Sequence, residues 1–358
     1  MAASPWSERQ DAEAFLQAYA CDNPFGDSIL HLAVRKSDIE LVGYLLESNF
    51  PVDTRNDDGK TPLHVAAELG SPGSVELGAL LVGSGADILA RQQVPSLNDA
   101  DSDSEAGDDI DSVASGDDAS AVTGNKIVKD QENLKQPHPL QVALDRTDEE
   151  MAEMLIKNAL PAEMDPMQEY DVLRLMAKAY VKRQEKVLEA FREAGWGVNR
   201  MHSRLGRPFL HYVCEEAEDI GPVERLIKAG ASAKEKDLGG ATVLHIAAQR
   251  GACSDGSVVK YLIDAGAQVD ATDRVWNGSP LMAAIQGQKI ANVRVLLEAG
   301  ADVNHVMRRN EMRRTLLHLA AQDGIPELIQ LLLDRGGNPN ALDEAGATTA
   351  HFAIISKS

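Results

Sequence analysis

A leucine followed by a histidine opens an apolar run at Leu30-His31, Leu63-His64, Leu210-His211, Leu244-His245 and Leu317-His318. The first two copies lie 33 residues apart, and the third and fourth 34. Repetition at roughly 20 to 50 residues marks a stacked array, in which each unit is a small element unable to bury its apolar face alone. Weaker copies fill the gaps: HPLQVAL around Leu140, YDVLRLMAKA around Leu173, GSPLMAAI around Leu281 and GATTAHFAI at the end. That makes about nine units, the last incomplete.

The local chemistry of a unit is clear in DGKTPLHVAAELG, residues 58–70. Asp58-Gly59 supplies a tight turn, Thr61 can cap the orphan amides of a helix, and Pro62 sits in the first turn, where its missing N–H costs little. Leu63, Ala66 and Ala67 form the inward face of a short helix, which Gly70 ends. A second helix is striped by Leu41, Leu45 and Leu46 in the first unit and by Leu328, Leu331 and Leu332 near the end, spacings that place them on one side. Gly85 or Gly300 closes it, and an extended VN or VD pair leads into the next turn. Two helices this short bury too little surface alone and must stack on their neighbours.

On these phrases, with GGATVLHIAAQRG, NGSPLMAAIQG and TLLHLAAQDG followed by LIQLLLDRGGNPNALDEAG, the chain resembles an ankyrin-repeat protein. The likeness covers nearly the whole chain apart from the extreme N-terminus and an acidic insert. It implies an all-α repeat solenoid, an L-shaped stack of helix-turn-helix units with β-hairpin loops along one edge. It further implies partner binding by hairpin tips and first helices on the concave side. Residues 1–25 would then be an N-terminal segment with a capping helix, and 26–358 the repeat domain, interrupted at about 92–135 by a segment expected to be disordered.

Charge narrows the class of partner. With 35 Lys and Arg against 56 Asp and Glu, the net charge of -21 argues against long-range attraction to DNA, RNA or anionic lipid. Glu8, Arg9, Asp11 and Glu13 interrupt what would have to be the apolar core of a secretion signal. No uninterrupted apolar run reaches the ~18 residues of a membrane span. Cys21, Cys214 and Cys253 are odd in number and lack metal-ligand spacing, so they indicate neither a disulfide framework nor a zinc site. They suit a reducing compartment, and the expected location is cytoplasmic, nuclear or both.

Two departures from the repeat attract attention. NDADSDSEAGDDIDSVASGDD carries nine acidic residues from Asp99 to Asp118, with no base before Lys126. Such a segment cannot bury enough apolar surface to offset ordering its backbone. Counted from Asp101 as a calcium loop, Ala106 stands where glycine belongs and Ser112 where glutamate belongs, which argues against an EF-hand. Ser102 and Ser115, each with an acid three residues on, are candidate phosphorylation sites. The second departure, HVMRRNEMRRTLLH, enlarges a hairpin tip with Arg308, Arg309, Arg313 and Arg314, a local reversal of sign suited to carboxylate or phosphate. The opposite charges of insert and tip raise a weak autoinhibitory tether as a hypothesis.

Trp276 lies just before Asn277-Gly278 in a hairpin tip that has no need of a large ring, and so is a candidate partner anchor. Trp196 is expected to pack. In the fourth unit Gly195 follows Leu173 by 22 residues instead of 19, which points to a longer second helix or connection. GSPGSV and GACSDGSV, in the second and sixth units, are expected to enlarge the loop between helices.

Catalysis finds little support. The histidines His31, His64, His211, His245 and His318 belong to the repeated phrase and are expected to bridge backbone groups between units. No HExxH, phosphate-binding glycine loop or G-x-S-x-G elbow is present. Cys214 follows His211 by one helical turn, without a third orienting group. The leading expectation is an intracellular protein–protein interaction scaffold without cofactor or metal, binding a protein segment of acidic or phosphorylated character. A stoichiometric inhibitor of an enzyme or nucleic-acid-binding protein is the alternative, as is the recognition portion of a larger protein.

Overall fold

The computed structural model describes residues 25–70, 72–92, 137–160, 164–251, 253, 255–309 and 312–355. The expected N-terminal capping helix and the acidic insert, with Ser102 and Ser115, lie outside the described residues. The chain divides into two compact units, 1–162 with 189–194 and 163–188 with 195–358.

In the first unit, helices α1 (Ile29–Arg35), α3 (Pro62–Leu69) and α5 (Pro139–Asp145) pack in series. Their partners α2 (Ile39–Glu47), α4 (Pro72–Gly83) and α6 (Glu149–Ala159) form a second layer. The insert leaves and re-enters at one point, because the Gln92 N–H donates to the Pro137 carbonyl at 3.1 Å.

The remaining helices are α7 (Pro166–Val181), α8 (Glu185–Glu193), α9 (Phe209–Glu216), α10 (Ile220–Lys228), α11 (Val243–Arg250) and α12 (Ser257–Asp264). They are followed by α13 (Pro280–Gln286), α14 (Ile290–Glu298), α15 (Leu316–Gln322), α16 (Pro326–Asp334) and α17 (Thr349–Ile355). In the second unit the first helices α7, α9, α11, α13, α15 and α17 pack in series, as do the second helices α10, α12, α14 and α16. Among the described residues the array thus comprises eight helix pairs and one further first helix.

The first-helix leucines Leu30, Leu63, Leu140, Leu173, Leu210, Leu244, Leu281 and Leu317 are all buried, each stabilising by about 1.5–3 kcal/mol relative to exposure. Buried alanines beside them, such as Ala66, Ala67, Ala247 and Ala248, let neighbouring first helices approach closely.

The surplus residues of the fourth unit are not where they were expected. They lengthen the first helix: α7 runs eight residues past Leu173, against five past Leu30 in α1, while α8 has nine residues, as α2 has. Asp165 sets the early start. Its carboxylate accepts from the N–H groups of Met167 (2.7 Å) and Gln168 (3.0 Å), and Pro166 takes the first helical position. No turn residue then interrupts the helix before Lys182-Arg183.

In the second unit of the repeat, Pro72 starts α4 at once. The surplus extends that second helix to 12 residues rather than the loop before it. Only the sixth repeat lengthens the loop, which runs over 251–256 between α11 and α12. Trp196 is 3% exposed, with the Arg200 guanidinium 3.9 Å above its ring.

The enlarged tip is a two-stranded antiparallel hairpin of β1 (Val306–Arg309) and β2 (Met312–Thr315). Its register pairs Val306 with Thr315, Met307 with Arg314, Arg308 with Arg313 and Arg309 with Met312.

Candidate functional site

Each repeated histidine joins its own unit to the next. In the second repeat the Thr61 N–H donates to His64 Nδ1 at 3.1 Å and the Thr61 hydroxyl lies 2.8 Å from the same nitrogen, while Nε2 donates to the Pro137 carbonyl at 3.1 Å. Because Nδ1 accepts, the ring's one proton sits on Nε2. His31, His245 and His318 repeat the pattern, reaching the carbonyls of Lys60 (2.9 Å), Gly278 (3.1 Å) and Ala347 (3.2 Å). Burial holds the His64 imidazole down to about 4.

The fifth repeat breaks the pattern on one side. His211 Nε2 still donates to the Ala241 carbonyl at 3.3 Å, but Pro208 occupies the cap position and offers neither N–H nor hydroxyl. His211 Nδ1 is therefore buried without a partner. Burial, with the Arg207 charge beside it, lowers this ring to about 3. The four other histidines are also structural: His351 Nδ1 accepts from the Thr348 N–H at 3.1 Å. His138 caps α5, His202 reaches the Pro166 carbonyl at 2.9 Å, and His305 reaches that of Asn277 at 2.6 Å.

A second recurrent device escapes a reading of the sequence. The residue before the cap position reaches across its helix to a partner eight residues later: Lys60 to Glu68 (2.7 Å), Arg207 to Glu215 (3.2 Å) and Arg314 to Gln322 (3.0 Å). Asp27 and Arg35 make the same span with the charges exchanged. A constant offset of eight was the available signal, obscured because the residue types change.

Successive tips of the second unit are tied by main-chain bonds. The N–H groups of Leu238, Arg274 and Arg308 donate to the carbonyls of Leu205 (2.9 Å), Gly239 (2.8 Å) and Trp276 (2.9 Å). Gly206, at φ +57, makes room at one of these steps: a Cβ there would come within 2.8 Å of Leu238 Cγ. Along this fixed edge Leu238 is 63% exposed and Val275 64%. Trp276 itself is half-buried, and its N–H donates to the Asp273 carboxylate at 2.7 Å.

The structure separates the hairpin arginines. Side chains alternate across a strand, and Met307 and Arg314 share the inward face: Met307 is buried, and the Arg314 guanidinium lies 4.6 Å from the Phe352 ring centroid. Arg308 and Arg313, opposite one another, are both exposed. For Arg309 the strand pairing with Met312 is what is described.

Among the described residues no group of three or more His, Cys, Asp or Glu is placed to hold a metal ion. Cys214 is fully buried, and that burial pushes its thiol up, away from the reactive thiolate. No helix among the described residues is long and apolar enough to cross a membrane.

Comparison with known proteins agrees with this architecture. Residues 2–92, 173–273 and 210–307 match the family described as "Ankyrin repeats (3 copies)", and 312–344 match "Ankyrin repeat". The chain belongs to the ankyrin-repeat family. Among curated proteins that the chain resembles, inversin of Gallus gallus is 36% identical over 118 residues, 33% of this chain and 10% of that protein. The E3 ubiquitin-protein ligase KEG of Arabidopsis thaliana is 25% identical over 340 residues, 92% of this chain and 18% of the ligase. The nuclear factor NF-kappa-B p105 subunit of Mus musculus is 45% identical over 85 residues, 24% of this chain and 8% of that protein. The chain spans less than a fifth of each of these relatives.

Proposed function

We propose that this ankyrin-repeat chain is a protein–protein interaction scaffold whose second unit holds a partner along its hairpin tips. The observation that carries the reading is the exposure of Leu238 and Val275 on consecutive tips that main-chain bonds hold in fixed succession. An apolar side chain so presented loses nothing in the folded chain by being covered, and a rigid edge loses little conformational freedom on binding. The chain acts by binding rather than by catalysis, in keeping with repeat histidines already committed to backbone carbonyls. Unpaired, buried Cys214 and Cys253 suit the reducing environment of the cytoplasm or nucleus.

Affinity purification of the full chain from the cells that express it, followed by mass spectrometry, tests this. The variant Leu238→Ser with Val275→Ser should lose partners that the unmodified chain retains. Retention of the same partners by both would refute the tip-edge reading.

A further inference from the structure

Resting on that scaffold reading, we infer that the tip edge receives an extended partner segment bearing a phosphorylated serine or threonine, the phosphate seated between Arg308 and Arg313. The hairpin register carries the argument. The Arg308 N–H points away from β2, since it donates to the Trp276 carbonyl at 2.9 Å. Arg308 and Arg313 therefore form the non-hydrogen-bonded kind of antiparallel pair, whose Cα atoms approach to about 4.5 Å and whose side chains lie closest.

Like charges so placed repel and weaken a hairpin. Neither guanidinium forms an ion pair among the described residues, although the chain has 56 carboxylates to draw on. By contrast, Arg207 and Arg314, which stand at equivalent repeat positions, are both engaged across their helices. Within this hairpin, among the described side chains, the unpaired charge thus lies on the outward face.

A carboxylate brings a single negative charge and would leave one arginine of the pair unneutralised. A phosphate monoester carries about -1.5 to -2 at neutral pH and has oxygens enough to accept from two planar guanidinium groups at once. Its charge and its geometry both match a closely opposed arginine pair.

The neighbouring tips add a spacing. Two passes of chain make each tip, and at the spacing of about 4.8 Å between bonded chains successive tips lie about 10 Å apart, which an extended segment covers in about three residues. A segment in the polyproline II conformation, which returns a side chain to the same face every three residues or about 9 Å, with its phosphate at Arg308 and Arg313 would set apolar residues about three and six positions away against Val275 and Leu238, the exposed side chains one and two tips back.

The test uses the full chain and short fluorescent peptides of polar background, made in both chain directions, in which two leucines and a terminal acceptor residue recur at about three-residue intervals. The acceptor is phosphothreonine, threonine or glutamate, and binding is read by anisotropy at low and high salt. The phosphothreonine peptide should bind at least about tenfold tighter than the threonine peptide, as charge-assisted hydrogen bonds would give, with the difference shrinking at high salt. Arg308→Gln with Arg313→Gln should abolish that preference, whereas Arg314→Gln should keep it. The double variant should melt no lower than the unmodified chain, because a repulsion is relieved, which separates lost recognition from lost folding.

Equal binding of phosphothreonine and threonine peptides would overturn the inference, as would equal binding of the glutamate peptide. It would also fall if the phosphate preference survived in the double glutamine variant. If the preference is absent while cellular partners are still lost with Leu238→Ser and Val275→Ser, the scaffold reading stands and the phosphate reading alone fails.

Discussion

The unpartnered nitrogen of His211 makes a substitution that should improve the protein. Replacing Pro208 by serine restores to the fifth repeat the cap chemistry that the first possesses. The backbone is already suitable: Ser28 has φ -67 and ψ 164, and Pro208 has φ -63 and ψ 152. Ser28 in that conformation places its N–H 3.2 Å and its hydroxyl 2.8 Å from His31 Nδ1. A buried acceptor left unsatisfied costs about 1–3 kcal/mol, which serine should recover. Against this, removing proline frees the unfolded chain and costs about 0.4–1 kcal/mol. The net expectation is a gain of about 0.5–2 kcal/mol. Because a repeat array need not unfold in one step, the measurement should be local. Native-state hydrogen exchange at neutral pH should show amides of α9 exchanging about two- to thirtyfold more slowly in the variant, 1.4 kcal/mol being tenfold. In a His211→Ala background the same change should give no protection. Unchanged or faster exchange in Pro208→Ser, in a chain otherwise folded as before, would refute the view that this nitrogen is a liability.

Acid should loosen the array through the histidine joints. A ring lowered on folding supports stability above its unfolded value of 6.5 and loses that support as pH falls, for His64 completely below about 4. That interval corresponds to about 3 kcal/mol, and His64→Gln should flatten the acid limb of stability measured against pH. Gly287→Ala should destabilise by about 1–3 kcal/mol in denaturant titrations, because the new Cβ would lie 2.3 Å from the Gln249 carbonyl oxygen. Gly43→Ala, in α2 with nothing within 4 Å, should instead stabilise by about 0.5–1 kcal/mol. Arg314→Ala should speed exchange in α17 by a factor equivalent to about 0.5–1 kcal/mol, through loss of the Phe352 contact, while leaving phosphopeptide affinity unaltered.

The repeat, its period and its cap residues were legible because the first-helix leucine is buried in unit after unit and the histidine, where it occurs, reaches a carbonyl of the next unit. Where length departs from the period, legibility ended. A surplus of three residues states that something grew without saying which element: in the fourth unit it carries the first helix α7 on to Val181, and in the second Pro72 starts α4 without a longer loop. The basic tip was visible as composition, yet its division into an outward Arg308 and Arg313 and an inward Arg314 depends on strand register. Register is set by where the hairpin turns and by which residue a neighbouring tip bonds, and neither is written in the run of arginines. Likewise Trp276 drew notice as the large ring, while the more exposed apolar side chain is its neighbour Val275.

The histidine joint has a consequence for how such a chain can change. One nitrogen answers to a cap a few residues behind, and the other only to whichever carbonyl the following module presents. His64 meets its carbonyl across 73 residues, where His31 needs 29 and His245 33. The coupling is therefore indifferent to the length of chain between its halves, and long segments can be spliced in at a seam, or whole modules gained and lost, without any new junction having to be invented.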